Sequence, residues 1–289
     1  VTVTNAAPNA SITVLDEQRQ PAPILNNRPT IKSAGVYYLR VSGYDAEGVL
    51  DRLYIRAALN GTEFITQEQA VSGASASHEF GPFTASTTPA VIDLWAHSRD
   101  MNAGWTTANG PDLQINAAPA GNIDSVNVQS GTITASGWAV DREEGAPISR
   151  VAVYVDDVFI ANASLGSTRL DVASHAINVL GYEGDASRYL MSGWNVTFNF
   201  GNILPGVRNL SVRLHDVLGA QTQITAQQFT VPMADSDQDG MDDRWENNNN
   251  LNANSAADAS EDIDGDGLTN LAEFNLGKKP RVYDSGASL

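Results

Sequence analysis

The chain of 289 residues contains no cysteine. Disulfides and thiolate metal sites are therefore excluded, and any cross-linking of the fold must come from packing or from cations held by oxygen. Basic residues are scarce, 17 lysines and arginines against 34 aspartates and glutamates, for a formal net charge of −17. That balance disfavours nucleic acid and anionic membrane as partners, since each needs a basic face to displace counterions. No apolar run reaches the roughly 18 residues of a membrane helix, and no charged, apolar and small-residue leader opens the chain. The expectation is a soluble chain without membrane insertion, mature or excised from a longer one. The four histidines, His78, His97, His175 and His215, lie far apart with no His-x-x-x-His spacing, which gives zinc or metalloprotease chemistry no support. No G-x-S-x-G elbow and no glycine loop for phosphate is present either.

What the sequence does have is strand pattern and a concentrated acidic end. The length suits two or three domains. Segments at 36–41, 53–59, 91–96, 133–140, 151–155, 194–200, 210–215 and 227–231 are rich in β-branched and aromatic residues, and several alternate apolar with polar. Glycine, asparagine, aspartate and proline separate them at short intervals, the pattern of antiparallel sheets with one face buried. Little helical period is expected before residue 233. Residues 235–289 carry thirteen acidic and four basic residues, net −9, against 21 and 13, net −8, in the longer stretch before them.

An internal repeat sharpens the all-β expectation. Asn5-Ala6-Ala7-Pro8 recurs as Asn116-Ala117-Ala118-Pro119, a period of 111 residues, each time after a short alternating segment. Ser42-Gly43-Tyr44 and Ser136-Gly137-Trp138 each precede a strand, and each unit has a late strand ending near His97 to Asp100 or at His215-Asp216. Such a period fits a seven-to-nine-strand sandwich of about 100 residues. The segment 1–4 reads either as the last strand of a preceding unit or as an ordinary N-terminal strand. The second unit, SGWAVDREEGAPISRVAVYVDDVFIANASLG, resembles the bacterial immunoglobulin-like domains strung along secreted and surface proteins; the first resembles them more weakly. The resemblance implies two tandem immunoglobulin-like β-sandwiches, at 1–117 and 118–232, followed by a small loop and short-helix module at 233–289.

That last segment contains DSDQDGMDDRWE at 235–246 and DIDGDGLTNLAE at 262–273, both of the form D-x-D-x-D-G-x5-E. Positions 1, 3 and 5 offer carboxylates, glycine at 6 permits the bend, position 7 offers a carbonyl, position 9 assists and glutamate at 12 closes with two oxygens. The first loop maps to Asp235, Asp237, Asp239, Met241, Asp243 and Glu246, with Gly240 at the bend. The second maps to Asp262, Asp264, Asp266, Leu268, Asn270 and Glu273, with Gly267 at the bend. The oxygen-rich loops favour two calcium ions over magnesium, which prefers a tighter octahedral shell with several waters. Met241 and Trp245 share a face after the first loop, and Leu268, Leu271 and Phe274 after the second. No long helix enters either loop, so the opening of a sensor EF-hand is not expected. This combination resembles the thrombospondin type 3 repeats of bacterial secreted proteins over about 235–280, with Asp258 a weaker additional ligand. Dockerin modules, usually closed by aspartate, fit less well.

Other candidates are weaker. Asp141, Glu143 and Glu144 could act as paired acids or as a third calcium site at a domain junction, but Asp-Arg-Glu-Glu-Gly more often makes a solvated turn. Trp95, Trp138 and Trp194 sit in strand-like runs and are expected in cores. Trp105, in an expected loop at 102–111, is the aromatic expected to be exposed. Together these readings predict a non-catalytic, calcium-binding extracellular piece of a longer bacterial surface or secreted protein, used in adhesion, spacing or presentation. Its partners would be calcium, other domains of the same longer chain and a polysaccharide or cell-surface ligand. The alternatives are a carbohydrate-binding accessory module of a polysaccharide-degrading enzyme and, further off, a glycan-acting enzyme.

Overall fold

In the computed structural model, which describes residues 6–102, 104–129, 131–201 and 203–284, the alternating segments fold as strands. The expected strand at 1–4 lies outside the described residues. The first stretch forms β1 (Asn9–Leu15), β2 (Ile24–Leu25), β3 (Arg28–Ile31), β4 (Val36–Tyr44), β5 (Leu50–Leu59), β6 (Thr62–Gly73), β7 (Ser75–Thr84), β8 (Ala90–Asp100), β9 (Gly104–Asn109) and β10 (Leu113–Ile115). One sheet is ordered β1-β4-β7, and a seven-stranded sheet is ordered β2-β3-β10-β8-β5-β6, with β9 also pairing β8. The pairing of β3 with β10 is parallel. Alternate residues of β4, Tyr37, Leu39 and Val41, are buried against Leu53, Ile55 and Ala57 of β5 and Leu94 and Ala96 of β8, so the two sheets share one core.

The second stretch repeats the arrangement with β11 (Ala120–Gln129), β12 (Thr132–Val140), β13 (Arg150–Val155), β14 (Val158–Asn162), β15 (Ser164–Ser167), β16 (Gly193–Asn199), β17 (Gly206–His215) and β18 (Gln221–Val231). Its sheets are ordered β11-β12-β16-β15 and β14-β13-β17-β18. Ile133, Trp194 and Val196 from one meet Val151, Val153, Leu210, Val212 and Leu214 from the other. The connection from β15 to β16 corrects the expectation of little helix, for it contains α1 (Leu170–Asn178). Val172, Ala173 and Ala176 of α1 are buried with Val140 and Tyr189. Exposed Leu170 and Val179 at its ends blur that stripe in the sequence.

Two tryptophans also depart from expectation. Trp105 lies in β9, not in a loop, and remains 47% exposed. Trp95 faces outward from β8, half-buried, with the Arg56 guanidinium 5.4 Å from its ring. Trp138 is half-buried against His175, whereas Trp194 fills the second core.

The acidic segment forms α2 (Asp243–Asn248) and α3 (Asn270–Leu276). Asp242 caps α2 by accepting from Arg244 N–H, Thr269 caps α3 by accepting from Ala272 N–H, and Gly277 ends α3 at φ 70°. Helices this short depend on packing. Met241, Trp245, Ala259 and Phe274 supply it, joined by Leu251, Leu271 and by Leu204 from the connection between β16 and β17. Leu268, expected beside Leu271 and Phe274, is half-buried outside this cluster. The Arg244 guanidinium lies 4.8 Å over the Phe200 ring, so the segment rests on the second pair of sheets.

The Ser-Gly-Trp motif has a packing reason. Gly137 pairs with Trp194 across β12 and β16, and a Cβ there would stand 2.0 Å from the Asn122 carbonyl oxygen and 2.5 Å from the Trp194 ring. Gly137→Ala is expected to cost about 2–3 kcal/mol, as overpacking does. Denaturant melts would show it, and an unchanged midpoint would contradict this account of the motif.

Candidate metal centres

Each acidic loop is folded by its own aspartates: Asp237, Asp239 and Asp264 accept from backbone with one oxygen and keep the other buried and unpartnered, whereas Asp235 and Asp262 use both oxygens on backbone. In the first loop Asp235 accepts from the N–H of Asp239 at 3.2 Å and of Gly240 at 3.1 Å. Asp237 accepts from Asp239 N–H at 3.3 Å, and Asp239 from Met241 N–H at 2.8 Å. The second loop repeats the scheme. Asp262 accepts from Gly265 N–H at 2.8 Å and Gly267 N–H at 2.9 Å, Asp264 from Asp266 N–H at 3.1 Å and Asp266 from Leu268 N–H at 2.8 Å. Gly240 and Gly267 hold φ of 93° and 99°, a conformation open to glycine at little cost.

The carboxylate oxygens converge. Carboxylate oxygens of Asp235, Asp237 and Asp239 lie within 4.8 Å of one another, as do those of Asp239, Glu246 and Asp258. Asp262, Asp264 and Asp266 form an equivalent group, and Asp266, Glu273 and Asp284 another. A shell of oxygens at about 2.3–2.6 Å from one cation has that diameter. Glu246 and Glu273 are fully buried, and neither oxygen of either carboxylate has a hydrogen-bond partner. Asp237, Asp239, Asp258 and Asp264 each also keep one buried, unpartnered oxygen. Such acceptors are costly to bury without a donor or a cation. The donor set is oxygen throughout, which suits a hard cation.

The ninth positions behave differently. Both oxygens of Asp243 are drawn to Ser236, accepting from its N–H at 2.7 Å and its hydroxyl at 2.6 Å, so Asp243 does not join the converging group. Asn270 is buried, donates to the Asp258 carbonyl at 2.7 Å and keeps its own Oδ1 unpartnered. Met241 and Leu268, the seventh positions, donate N–H to the aspartate two residues before them. Asp258, the weaker candidate in the sequence, is brought to the first centre, and Asp284, which sequence reasoning missed, to the second. The available signal was an offset: Asp258 follows Glu246 by 12 residues and Asp284 follows Glu273 by 11. Lys278 Nζ lies 3.2 Å from Asp284.

Among the described residues the histidines form no metal group. The turn at Asp141, expected to be solvated, is instead buried at Asp141 and Glu143. The segment 118–232 also contributes no helix long and apolar enough to cross a membrane, nor does any other described part of the chain.

No protein-family model matches the chain, and no curated protein matches it. Among solved structures it is similar to a red sea bream transglutaminase, at 12% identity and a TM-score of 0.28, over 79% of this chain and 32% of that one. The chain thus spans about a third of that structure's length. That structure is an enzyme, and the expectation of a non-catalytic chain is withdrawn on that finding; at this TM-score the likeness puts no activity in its place.

Burial, then the neighbouring aspartates, pushes the Glu246 carboxyl up to about 7 from an ordinary 4.5. Glu273 is pushed up to about 7 for the same reasons, burial first and then Asp264, Asp266, Asp284 and Asp262. Without a cation, the folded segment therefore binds more protons than the unfolded chain between about 4.5 and 7, and its stability falls as pH rises through that window. Hydrogen exchange at residues 241–274 in the presence of chelator should be slower to open at pH 5 than at pH 7.5. Saturating cation should reverse the order, because metal must displace those protons. Equal or greater protection at pH 7.5 in chelator would contradict the burial of these carboxyls.

Proposed function

We propose that residues 233–289 bind two calcium ions, one through Asp235, Asp237, Asp239, Glu246 and Asp258, the other through Asp262, Asp264, Asp266, Glu273 and Asp284, and that the ions hold this segment folded. The observation that carries the proposal is the pair of fully buried glutamates with four unpartnered oxygens, each facing converging aspartates. Two loops that each offer several carboxylates and a closing glutamate suit calcium, with six to eight oxygens, better than the octahedral, water-rich shell of magnesium. Asn270, with its free Oδ1, is a further ligand, and the carbonyls of Met241 and Leu268 occupy the seventh positions.

The chain divides into sandwiches at 1–117 and 118–232, immunoglobulin-like in character, and a thrombospondin type 3-like module at 233–289. It serves as an extracellular part of a bacterial secreted or cell-surface protein, in adhesion, spacing or presentation. Support comes from the repeated two-sheet cores, the motif strings and the absence of cysteine-based cross-links that oxygen-bound ions would replace. Linkage supplies the mechanism. At an extracellular calcium near 1 mM and a Kd near 0.1 mM, each ion adds about 1.4 kcal/mol to the folded state.

Chelation is expected to unfold residues 233–289 while both sandwiches keep their transitions in thermal melts. Glu246→Gln and Glu273→Gln should each bind one ion fewer than the parent chain in calorimetric titration. An unchanged ion count in both variants would sink the proposal.

A carbohydrate-binding role is favoured by a different observation, on the outer face of the seven-stranded sheet. Strand register sets Arg52, Arg99 and Trp105 in one row, Tyr54 and His97 in the next, and Arg56 and Trp95 in a third. Tyr54 and Trp105 lie 5.8 Å apart between centroids, Arg99 lies 5.2 Å over Trp105, and Arg99 is paired with Asp51. Rings offer faces to the C–H surfaces of sugars, and fixed charged groups bind hydroxyls. Trp105→Ala should weaken retention on polysaccharide in affinity electrophoresis without changing the melt; no retention of the parent chain on any polysaccharide tested would remove this role.

A further inference from the structure

Positive charge is scarce in this chain, and on the outer face of the seven-stranded sheet it is spent: Arg52 pairs with Glu68, Arg56 with Glu63 and Arg99 with Asp51. The sheet β14-β13-β17-β18 of the second sandwich differs. It carries Arg150 on β13 and Arg213 on β17, and among the described residues neither guanidinium pairs with a carboxylate. Strand register sets Arg150 opposite His215, Ala152 opposite Arg213 and Tyr154 opposite Ser211, with Phe159 of β14 on the other side of Tyr154. Val151, Val153, Val212 and Leu214, which alternate with them, point into the core, so these residues share the outer face.

The groups on that face bear on one another. A guanidinium can only donate, so the 3.0 Å contact between Arg150 Nη2 and His215 Nε2 makes that ring nitrogen the acceptor and leaves the ring proton on Nδ1. Burial first, then the charges of Arg150 and Arg213, holds the His215 pKa below its ordinary value, so both guanidiniums act on one imidazole. Arg213 is the diagonal neighbour of Arg150 across the two strands, about 7–8 Å away at the backbone and within reach of long side chains. Its guanidinium lies 4.2 Å over the Tyr154 ring, and Tyr154 meets Phe159 edge-on at 5.7 Å. Phe159 is 50% exposed. Arg150, His215 and Asn162 border an open depression. The acids around this strip are engaged or beyond it: Asp216 is buried and accepts from Asn116 Nδ2 and Ala220 N–H, Asp156 is held by Arg208, and Asp157 stays in the turn between β13 and β14.

We propose that this face binds a polysaccharide carrying uronate residues, its carboxylate taken by Arg150 and Arg213 and a neighbouring sugar ring resting on Phe159 and Tyr154. Two guanidiniums without a carboxylate of their own complement a ligand that brings one, and the planar fork of arginine matches the planar carboxylate. The rings offer apolar faces to the C–H surfaces of sugars. Asn162 and Gln223, in the row of Ala152 and Arg213, add amides for hydroxyls. The chain's net charge of −17 opposes a polyanion at a distance, so ring contact has to supplement the charge pairing. The face is separate from the Trp105 row, whose arginines are neutralised on their own sheet, and rests neither on that row nor on the C-terminal ions.

Calorimetric titration of the full chain with a short oligogalacturonate tests this, beside a neutral oligosaccharide of equal length, a sulfated one and oligoglutamate. The oligogalacturonate should bind roughly tenfold more tightly than the other three. Arg150→Ala and Arg213→Ala should each weaken it by roughly tenfold with an unchanged thermal melt. Arg213→Lys should restore only part of the affinity, because an ammonium lacks the fork, and Phe159→Ala should also weaken binding. No binding of the oligogalacturonate, equal or tighter binding of the sulfated oligosaccharide or of oligoglutamate, or parent affinity in both arginine-to-alanine variants overturns the proposal. So does binding lost in Trp105→Ala instead, which puts the ligand on the first sandwich, or binding abolished by chelator, which traces it to the C-terminal ions.

Discussion

A carboxylate taken out of water must be given a proton, a set of donors or a cation, because solvation lost on burial amounts to several kcal/mol per charge. This chain meets that requirement in different ways along its length. On the sheets, arginines do it: Arg40 and Arg19 on Glu79, Arg99 on Asp51 and Arg169 on Asp124. In the acidic segment arginines are too few. Arg244 is committed to Asp242 and the Pro232 carbonyl, and Arg281 to the carbonyls of Asn249 and Asn250. The glutamates at the loop ends are left with acceptor oxygens only, a deficit that the proposed ions would fill.

The segment has little else to hold it. Its buried apolar set is Met241, Trp245, Ala259 and Phe274, centred on one edge-on pair of rings 5.2 Å apart. A core of that size does not hold a segment of this length folded alone, and small metallodomains rely on ligation for the balance. Docking against Leu204 and Phe200 adds some contact with the second pair of sheets. The same docking means that whatever loosens the loops also frees a patch of that sheet's edge. The proposed binding of ions would thereby be linked to the orientation of the segment.

The sequence disclosed the strands because one face of each is buried, which writes a period of two into residues such as Tyr37, Leu39 and Val41. The loop aspartates were legible for a related reason, since each folds its own turn through an N–H two to five residues on. Features set by distant packing were not legible. Asp284 reaches the second centre only because the chain returns after α3, and its N–H binds Asp266. Trp95 looks like a core residue until the sheet places Arg56 against it on the outer side. Helix α1 buries only small or β-branched residues, so its stripe is faint. Asp-Arg-Glu-Glu-Gly has a solvated turn's composition, and nothing within it signals that Gln114 and Asn116 will cover it.

The two pairs of sheets supply a comparison for that covered turn. Asp45 follows β4 directly, as Asp141 follows β12, and both are buried. Asp45 accepts from Glu47 N–H at 3.1 Å with one oxygen and from Val49 N–H at 3.0 Å with the other. Its burial pushes the carboxyl up, but those hydrogen bonds win and leave it below its ordinary value. Asp141 accepts both its N–H bonds on a single oxygen, and burial wins. A turn at this point in the fold can therefore satisfy its aspartate completely. The second turn departs from that solution where the chain from the first sandwich packs over it, so the unpartnered oxygen belongs to the joint and not to the turn.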